Sequence, residues 1–71
     1  MSIGANIKAR RLARDMTQKE LATQVNVDQS MICQIERGTK VPSLPLSMEI
    51  AAVLGCHVEE FMEGSIKTVS R

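Results

Sequence analysis

Two helix-starting signals stand so close together near the middle of the chain that only a tight turn fits between the helices they begin. At the first, TQKE matches a capping box: the Thr17 side chain can accept a hydrogen bond from the Glu20 amide, and the Glu20 carboxylate can accept one from the Thr17 amide. This helix ends at Asn26, because asparagine tolerates the left-handed conformation of a helix end. Asp28 then caps a second helix, which Gly38 ends. The sequence therefore predicts a helix-turn-helix, in which two short helices cross at a steep angle.

Apolar spacing predicts another helix before this pair. It covers about residues 5–14, with Ile3, Ile7 and Leu12 on its inner side. Asp15 follows it, at a position where a left-handed residue is often needed. We therefore expect the first helix to end there and the chain to turn towards the capping box.

A fourth helix follows the loop TKVPS. Ser43 caps it, and Pro45 falls in its first turn, where the missing N–H costs little. Gly55 closes it. Helical spacing gives it a buried stripe, flanked by Ile50, that consists of Leu44, Met48, Ala51 and Leu54.

A last short helix is expected over residues 58–62, with His57 as its cap and Glu60 at the third helical position of a second capping box. Residues 65–71, SIKTVSR, are left as a C-terminal tail. A chain of 71 residues has room for one modest core. The expected fold class is all-α, a compact five-helix domain over residues 1–64.

The charge of the chain is distributed unevenly, although its net value is only +1. Residues 1–42 carry seven basic and four acidic side chains, a balance of +3, and residues 43–71 carry two and four, a balance of −2. One end of the domain is therefore suited to face phosphate. Ordinary scatter of solvated charges accounts for the count alone equally well. With Phe61 as the sole aromatic residue, binding of single-stranded nucleic acid by stacking is not expected.

The sequence offers no pattern for a metal, a cofactor or a catalytic residue. Cys33 and Cys56 are not in a C-x-x-C pair and are interpreted as free thiols. Cys56 and His57 are adjacent in the sequence, but they are not interpreted as a metal-binding pair, because neighbours on a helix point about 100° apart. There is no nucleophile–base pair and no phosphate-cradling glycine loop, so an enzyme is the weakest interpretation.

A membrane segment is not expected either. No apolar run approaches the ~18 residues of a membrane span, and no signal-peptide pattern opens the chain. We therefore expect a cytoplasmic protein that has no membrane partner.

The second helix of the central pair, residues 29–37, divides into two faces. With about 100° per residue, Ile32 and Ile35 lie on one side and Met31 lies at the border. The other side is polar and carries Gln29, Ser30, Cys33, Gln34 and Arg37.

The two glutamines on that polar face have a chemistry that lysine and glutamate lack. A glutamine amide donates and accepts at once, so it can bond bidentately to N6 and N7 of adenine in the major groove of DNA. Gln29 and Ser30 stand in the first turn, where a recognition helix inserts its tip. Arg37 and Lys40 are placed to meet phosphate. Two exposed glutamines on a short helix are by themselves unexceptional.

Four stretches in register resemble the lambda-repressor-like helix-turn-helix family, which includes phage repressor and Cro proteins and bacterial xenobiotic-response-element type regulators. They are MTQKELA (residues 16–22), QSMICQIERG (29–38), VPSL (41–44) and IAAVLGCHVEEF (50–61). The similarity covers roughly residues 7–62. It implies a sequence-specific DNA-binding transcription regulator, with a repressor as the first expectation, that binds a palindromic operator in double-stranded DNA as a homodimer.

The resemblance also implies roles for individual residues. Gln18, at the start of the second helix, matches a position that meets a phosphate. Arg11 and Glu36 match a pair that often forms an ion pair, here with a structural role. The base-reading positions match Gln29, Ser30, Cys33 and Gln34. Further phosphate contacts match Arg37, Thr39 and Lys40.

Some positions depart from the family pattern. Asp15 and Asn26 stand where glycine is usual, Met31 replaces a threonine or serine, and Cys33 replaces a more polar residue. Cys33 is suited to contact a thymine methyl group or to act as a thiol switch. An operator sequence cannot be carried over from another family member.

A protein-interaction module is the main alternative. Such a module, for example an antitoxin component, keeps the fold but binds a protein partner. The acidic stretch at residues 59–63 and the tail residues Ile66 and Val69 are candidates for that surface.

Overall fold

The computed structural model describes residues 2–62, which form four α-helices and one 3-10 helix without any strand. The α-helices are α1 (Ile3–Ala13), α2 (Gln18–Gln24), α3 (Gln29–Arg37) and α4 (Leu44–Leu54), and the 3-10 helix is Val58–Met62. The all-α fold class is confirmed, and the expected five helices are corrected to four α-helices and a 3-10 helix. The predicted tail lies outside the described residues.

Short polar side chains start three of the helices. The hydroxyl groups of Ser2, Thr17 and Ser43 accept from backbone amides three residues further on, at 3.1, 3.0 and 3.2 Å. The Thr17 capping box is complete, because the Thr17 amide lies 2.8 Å from Oε1 of Glu20. Since Ser2 caps α1, that helix begins two residues earlier than predicted.

Two other predicted caps differ from expectation. Asp28 occupies the N-cap position of α3, but its side chain makes no capping hydrogen bond. His57 precedes the 3-10 helix and its amide donates to Oε2 of Glu60 at 3.1 Å, which is one half of a capping box. Both helices nevertheless begin where the sequence placed them.

Left-handed residues follow all four α-helices, as predicted. Asp15 has φ 55°, Asn26 has φ 61°, Gly38 has φ 87° and Gly55 has φ 72°. An L-residue with a Cβ pays about 1–2 kcal/mol for this conformation. Asp15 and Asn26 therefore carry a small local strain that glycine would not.

The core lies between the helices and is mainly aliphatic. Phe61 of the 3-10 helix is fully buried in it, and the Asn6 side chain donates to the Phe61 carbonyl oxygen at 2.7 Å. This bond ties the last helical segment to α1. The other buried hydrophobic residues are Ile7, Leu21, Ala22, Val25, Ile32, Ile35, Ile50, Ala51 and Leu54.

The predicted inner faces of α1 and α4 are partly wrong. Leu12 is exposed, and α1 instead buries Gly4, Ile7 and Arg11. Leu44 and Met48 are exposed as well, because α4 turns Ser47 and Ile50 inward together with Ala51 and Leu54. Apolar side chains surround much of α4, so helical spacing alone did not fix which of its faces packs on the core.

Gly4 brings α1 into direct contact with α3. A Cβ at this position would overlap the Ile35 carbonyl oxygen and lie 3.0 Å from Cα of Glu36. The two backbones touch at a point where only glycine fits. This contact fixes the distance between α1 and the end of α3.

None of the helices in residues 2–62 is both long enough and apolar enough to cross a membrane.

Candidate nucleic-acid interface

α3 presents one face to the core and the opposite face to solvent. Ile32 and Ile35 are fully buried, and Met31 is half-buried against the core. The opposite face contains the polar residues that the sequence singled out. Gln29, Ser30, Gln34 and Arg37 are exposed on it and Cys33 is half-buried.

The amides on this face have free hydrogen-bonding groups. Within residues 2–62, no hydrogen bond involves the side chains of Gln29, Ser30 or Gln34. The Arg37 side chain runs back along the face, and its Nη1 lies 3.9 Å from Sγ of Cys33. The face is therefore rich in solvent-exposed donors and acceptors that no other side chain in residues 2–62 occupies, on a helix whose opposite side is packed on the core.

The segment after α3 folds back onto the end of the helix. The hydroxyl of Thr39 donates to the Gln34 carbonyl oxygen at 3.1 Å, and the Thr39 and Lys40 amides donate to the same oxygen at 3.0 and 3.3 Å. The Gly38 amide at the end of α3 donates to this oxygen too, so the Gln34 carbonyl gathers the start of the following segment around it. These bonds also hold the exposed Lys40 beside the polar face.

A buried carboxylate joins α1, α2 and α3. Arg11 donates from Nε to Oε2 of Glu36 at 2.7 Å and from Nη2 to Oε1 at 3.0 Å. Nε2 of the half-buried Gln18 donates to the same Oε1 at 3.0 Å. The Arg11 Nη1 also reaches the Met16 carbonyl oxygen at 2.6 Å. One residue from each of three helices therefore meets at Glu36.

The sequence did not predict the bond between Gln18 and Glu36. The family resemblance assigns Gln18 to a phosphate and pairs Glu36 with Arg11 alone. The bond depends on how the start of α2 lies against α3, which neither capping nor spacing reveals. The bond to Glu36 holds one end of the Gln18 amide in place, and within residues 2–62 the second hydrogen of Nε2 and the Oε1 atom make no hydrogen bond.

Most of the residues that form these helices match a known protein family. The model of the helix-turn-helix family matches residues 7–61. The chain belongs to the helix-turn-helix family. The resemblance found in the sequence is thereby confirmed.

Two curated relatives of this helix-turn-helix chain are an immunity repressor and an HTH-type transcriptional regulator. It is 40% identical over 58 residues to the immunity repressor protein of Bacillus phage phi105, a match that covers 82% of this chain and 40% of the repressor. It is 41% identical over 54 residues to an HTH-type transcriptional regulator of Archaeoglobus fulgidus, covering 76% of each chain. The chain thus spans less than half the length of the phage relative.

Two solved helix-turn-helix structures are similar over most of their length. The DNA-binding domain of the P22 c2 repressor superposes with a TM-score of 0.86 at 25% identity, covering 96% of this chain and 90% of that domain. SinR, a master regulator for biofilm formation solved in complex with DNA, superposes with a TM-score of 0.80 at 31% identity, covering 84% and 97%.

The turn of this helix-turn-helix is short and well bonded. It runs from Val25 to Asp28, and the Val27 amide donates to the Ala22 carbonyl oxygen at 2.9 Å. Asn26 takes the left-handed conformation at its centre. Val25 is buried, so the turn packs on the core and fixes the angle between α2 and α3.

The part of the chain that the structure describes contains no group of three or more His, Cys, Asp or Glu side chains able to hold a metal ion.

Cys33 and Cys56 are free thiols. Burial raises the pKa of the Cys56 thiol, with smaller effects from Arg10, Glu60 and Arg14. Cys56 borders an open groove of about 290 Å³ between α4 and the 3-10 helix, whose lining includes Met48, Ala52, His57 and Val58.

Proposed function

We propose that this protein is a sequence-specific transcription regulator that binds double-stranded DNA, acts as a repressor and has no enzymatic activity. The observation that carries the proposal is the exposed polar face of α3, whose amides are free while its opposite face is fully buried. A helix held in this way can enter the major groove without losing its place on the domain. Three similar proteins support the proposal. They are the phi105 immunity repressor, the DNA-binding domain of the P22 c2 repressor, and SinR, which was solved in complex with DNA.

In this proposal the base-reading side chains come from the polar face of α3. Gln29 and Gln34 bond to adenine through their amides, and each good bidentate contact is worth about 1–3 kcal/mol of discrimination. Ser30 donates to or accepts from a base edge. Cys33, half-buried on the same face, offers an apolar contact to a thymine methyl group.

Phosphate contacts come from the rim of that face. Arg37 and Lys40 are exposed cations at the end of α3. Thr39 is held beside them by its bonds to the Gln34 carbonyl oxygen. Gln18 reaches a phosphate with the part of its amide that Glu36 does not occupy. These four residues set the position of the domain, and the α3 face selects the sequence.

A palindromic operator bound by a homodimer completes the proposal. Two copies of one domain read two half-sites about 34–36 Å apart when α3 of each enters successive major grooves on one side of the duplex. The reading needs no metal or cofactor. Because duplex DNA is the ligand, we also propose a cytoplasmic location.

Selection of the full chain against a random pool of duplex DNA, at near-physiological salt, tests this function. We expect enrichment of a palindromic motif. In the Gln29→Ala variant the preference at one position of each half-site should be lost. The matched control is Gln24→Ala, which removes an exposed glutamine from α2 and should leave the motif unchanged.

The alternative function gives the opposite result in the same experiment. If no motif is enriched and only salt-sensitive background binding remains, the proposal is wrong and the fold serves a protein partner instead. If a motif is enriched but Gln29→Ala and Gln34→Ala both leave it intact, the protein binds specific DNA with another face.

A further inference from the structure

The open groove between α4 and the 3-10 helix is lined mainly by apolar side chains. Met48, which is 55% exposed, lies on its α4 side together with Ala52, and Val58 lies on its 3-10 side. Its volume of about 290 Å³ has room for aliphatic side chains. We call this feature the α4 groove. The proposed DNA contacts lie on α3, on the segment after it and at the start of α2, so the α4 groove takes no part in them.

The charge around the α4 groove is acidic. Residues 43–62 contain three acidic side chains, Glu49, Glu59 and Glu60, and neither lysine nor arginine. Glu60 is paired with Arg10 of α1. Glu59, which lines the groove, and Glu49 are exposed, and within the described part of the chain neither forms an ion pair. The groove is therefore suited to an occupant that is both apolar and basic.

The last residues of the sequence have this composition. Residues 65–71, SIKTVSR, contain two basic side chains and no acidic one, and their large apolar residues are Ile66 and Val69. These two are three positions apart, a spacing that places both on one face of a helical turn. Lys67 and Arg71 are four positions apart and share a neighbouring face. A single short segment can thus present an apolar face and a basic face together.

We propose that residues 65–71 dock in the α4 groove of the same chain. Ile66 and Val69 contact the apolar lining, and the two basic side chains approach the exposed carboxylates of Glu49 and Glu59. The acidic surface and the apolar residues of the tail, which the proposed DNA contacts leave unused, are then complementary. The inference is independent of the proposed function, because neither the groove nor the tail belongs to the α3 face.

The distance from the end of the 3-10 helix back to the α4 groove is short. A 3-10 helix rises about 2.0 Å per residue, so Met62 lies about 8 Å along the helix from Val58. The four residues 63–66 can span up to about 13 Å when extended. Ile66 can therefore reach the Val58 end of the groove, and Val69 can lie further along it beside α4.

The short connection also decides which copy of the tail occupies the groove. A short flexible linker gives a docking segment an effective concentration in the millimolar range. At micromolar protein concentration, the tail of a second copy is far more dilute than the tail of the same chain. Docking within one chain therefore precedes docking between chains.

The reactivity of Cys56 reports whether the groove is covered, because this thiol lines it. In a Cys33→Ser chain at micromolar concentration, we expect Ile66→Asp to raise the rate of alkylation by iodoacetamide about threefold or more, which corresponds to a tail docked about two-thirds of the time. The matched control is Thr68→Asp, which adds the same charge to the same segment on the other side of a helical turn. Its rate should equal that of the Cys33→Ser chain. Urea unfolding checks that both variants fold.

A disulfide tests the position of the tail directly. In a Cys33→Ser, Ile66→Cys chain, we expect the introduced thiol and Cys56 to oxidise to an internal disulfide at a rate that does not depend on protein concentration. The matched Cys33→Ser, Thr68→Cys chain should oxidise more slowly, because its thiol faces away from the groove. Linkage mainly between two chains would show that a second copy supplies the tail and would contradict the proposal.

Exchanging charges tests the ionic part of the contact. Lys67→Glu in the Cys33→Ser chain should raise the alkylation rate of Cys56, and Glu59→Lys in the same chain should bring the rate back towards that of Cys33→Ser. The control is Lys19→Glu, which reverses an exposed charge on α2 and should have no effect. A rate that stays high after the second change would overturn the pairing of tail and groove by charge.

Two results would overturn the docking itself. One is an alkylation rate in Ile66→Asp that equals the rate in Thr68→Asp. The other is equal rates of internal disulfide formation from the two introduced thiols. None of these measurements involves DNA, so their outcome is separate from that of the selection experiment.

Discussion

Arg11 and Glu36 form a two-bond ion pair underneath α3, with Nε and Nη2 of the arginine 2.7 and 3.0 Å from the two carboxylate oxygens. Only 8% of the Arg11 side chain and 2% of the Glu36 side chain are exposed. Gln18 and the Met16 carbonyl oxygen supply the remaining partners. Every guanidinium nitrogen of Arg11 and both carboxylate oxygens of Glu36 therefore have a hydrogen-bond partner, as buried charges need, and the pair ties α1 and α2 to the helix with the polar face.

Removing the charge of Glu36 should destabilise the protein strongly. In Glu36→Gln the buried Arg11 guanidinium loses its counter-charge, and leaving one partner of a buried pair alone costs about 3–5 kcal/mol. Urea unfolding measures the loss. The control is Arg10→Gln, which breaks the ion pair between Arg10 and Glu60. The Arg10 side chain is 40% exposed and the Glu60 side chain is 38% exposed. That change should cost less than about 1 kcal/mol. Equal losses in the two variants would contradict the assigned role of Glu36.

Gly4→Ala should destabilise the protein, although alanine is the better helix former. The added Cβ meets the Ile35 carbonyl oxygen, so α1 has to move away from α3. We expect a net loss of about 2 kcal/mol in urea unfolding, typical of overpacking. A gain of about 1 kcal/mol is the ordinary result of replacing glycine within a helix. It would mean that α1 and α3 can move apart at Gly4 without loss of stability.

Ser47→Ala should stabilise the protein. The Ser47 side chain is buried on α4, and within residues 2–62 its Oγ has no hydrogen-bond partner. Removing a buried hydroxyl with no partner, and gaining helix propensity, should raise the free energy of unfolding by about 1 kcal/mol. Ser30→Ala, on the exposed face of α3, gains only the propensity and is the control. A larger gain at Ser30 than at Ser47 would show that the buried hydroxyl is satisfied.

Lys40→Ala should weaken DNA binding without changing its specificity. Lys40 is exposed at the rim of the α3 face, and loss of one phosphate contact lowers affinity roughly equally for all sequences. The slope of log affinity against log salt should decrease by about 1. Fluorescence anisotropy over a salt series, with the selected motif and an unrelated duplex, measures both. A change in base preference would move Lys40 to the base-reading group.

The Cys56 thiol should react slowly near neutral pH. Burial raises its pKa in the folded protein, so less of it is thiolate. In a Cys33→Ser chain, alkylation by iodoacetamide should be slower than in the urea-unfolded chain, with a pH profile shifted upwards. The pKa of Cys56 is higher in the folded than in the unfolded chain, so the protonated thiol contributes to the free energy of unfolding. This contribution is complete below the unfolded-state pKa and is lost as pH rises through the folded-state pKa. Equal pH profiles in the folded and unfolded chains would contradict this.

Helix ends could be predicted from the sequence because their chemistry is local. Thr17, Ser43 and Gly38 each act within a few residues of the position they determine. Both α3 boundaries are confirmed, although the Asp28 side chain makes no capping hydrogen bond. The orientation of α3 is equally clear, since its two faces differ strongly in polarity. The inner face of α4 was partly mispredicted, because a buried serine and two exposed aliphatic residues run against the usual pattern. The bond between Gln18 and Glu36 depends on packing between helices, which no local signal contains.

Substitutions on the two faces of α3 are expected to alter different properties of the protein. Ile32 and Ile35 serve only the core, while Gln29, Ser30 and Gln34 make no side-chain bond within the described domain. If this face reads DNA as proposed, a mutation on it changes which sequence is recognised at almost no cost in folding free energy. Such a domain can acquire a new target site one residue at a time, and an engineer can redirect it in the same way while leaving the scaffold untouched.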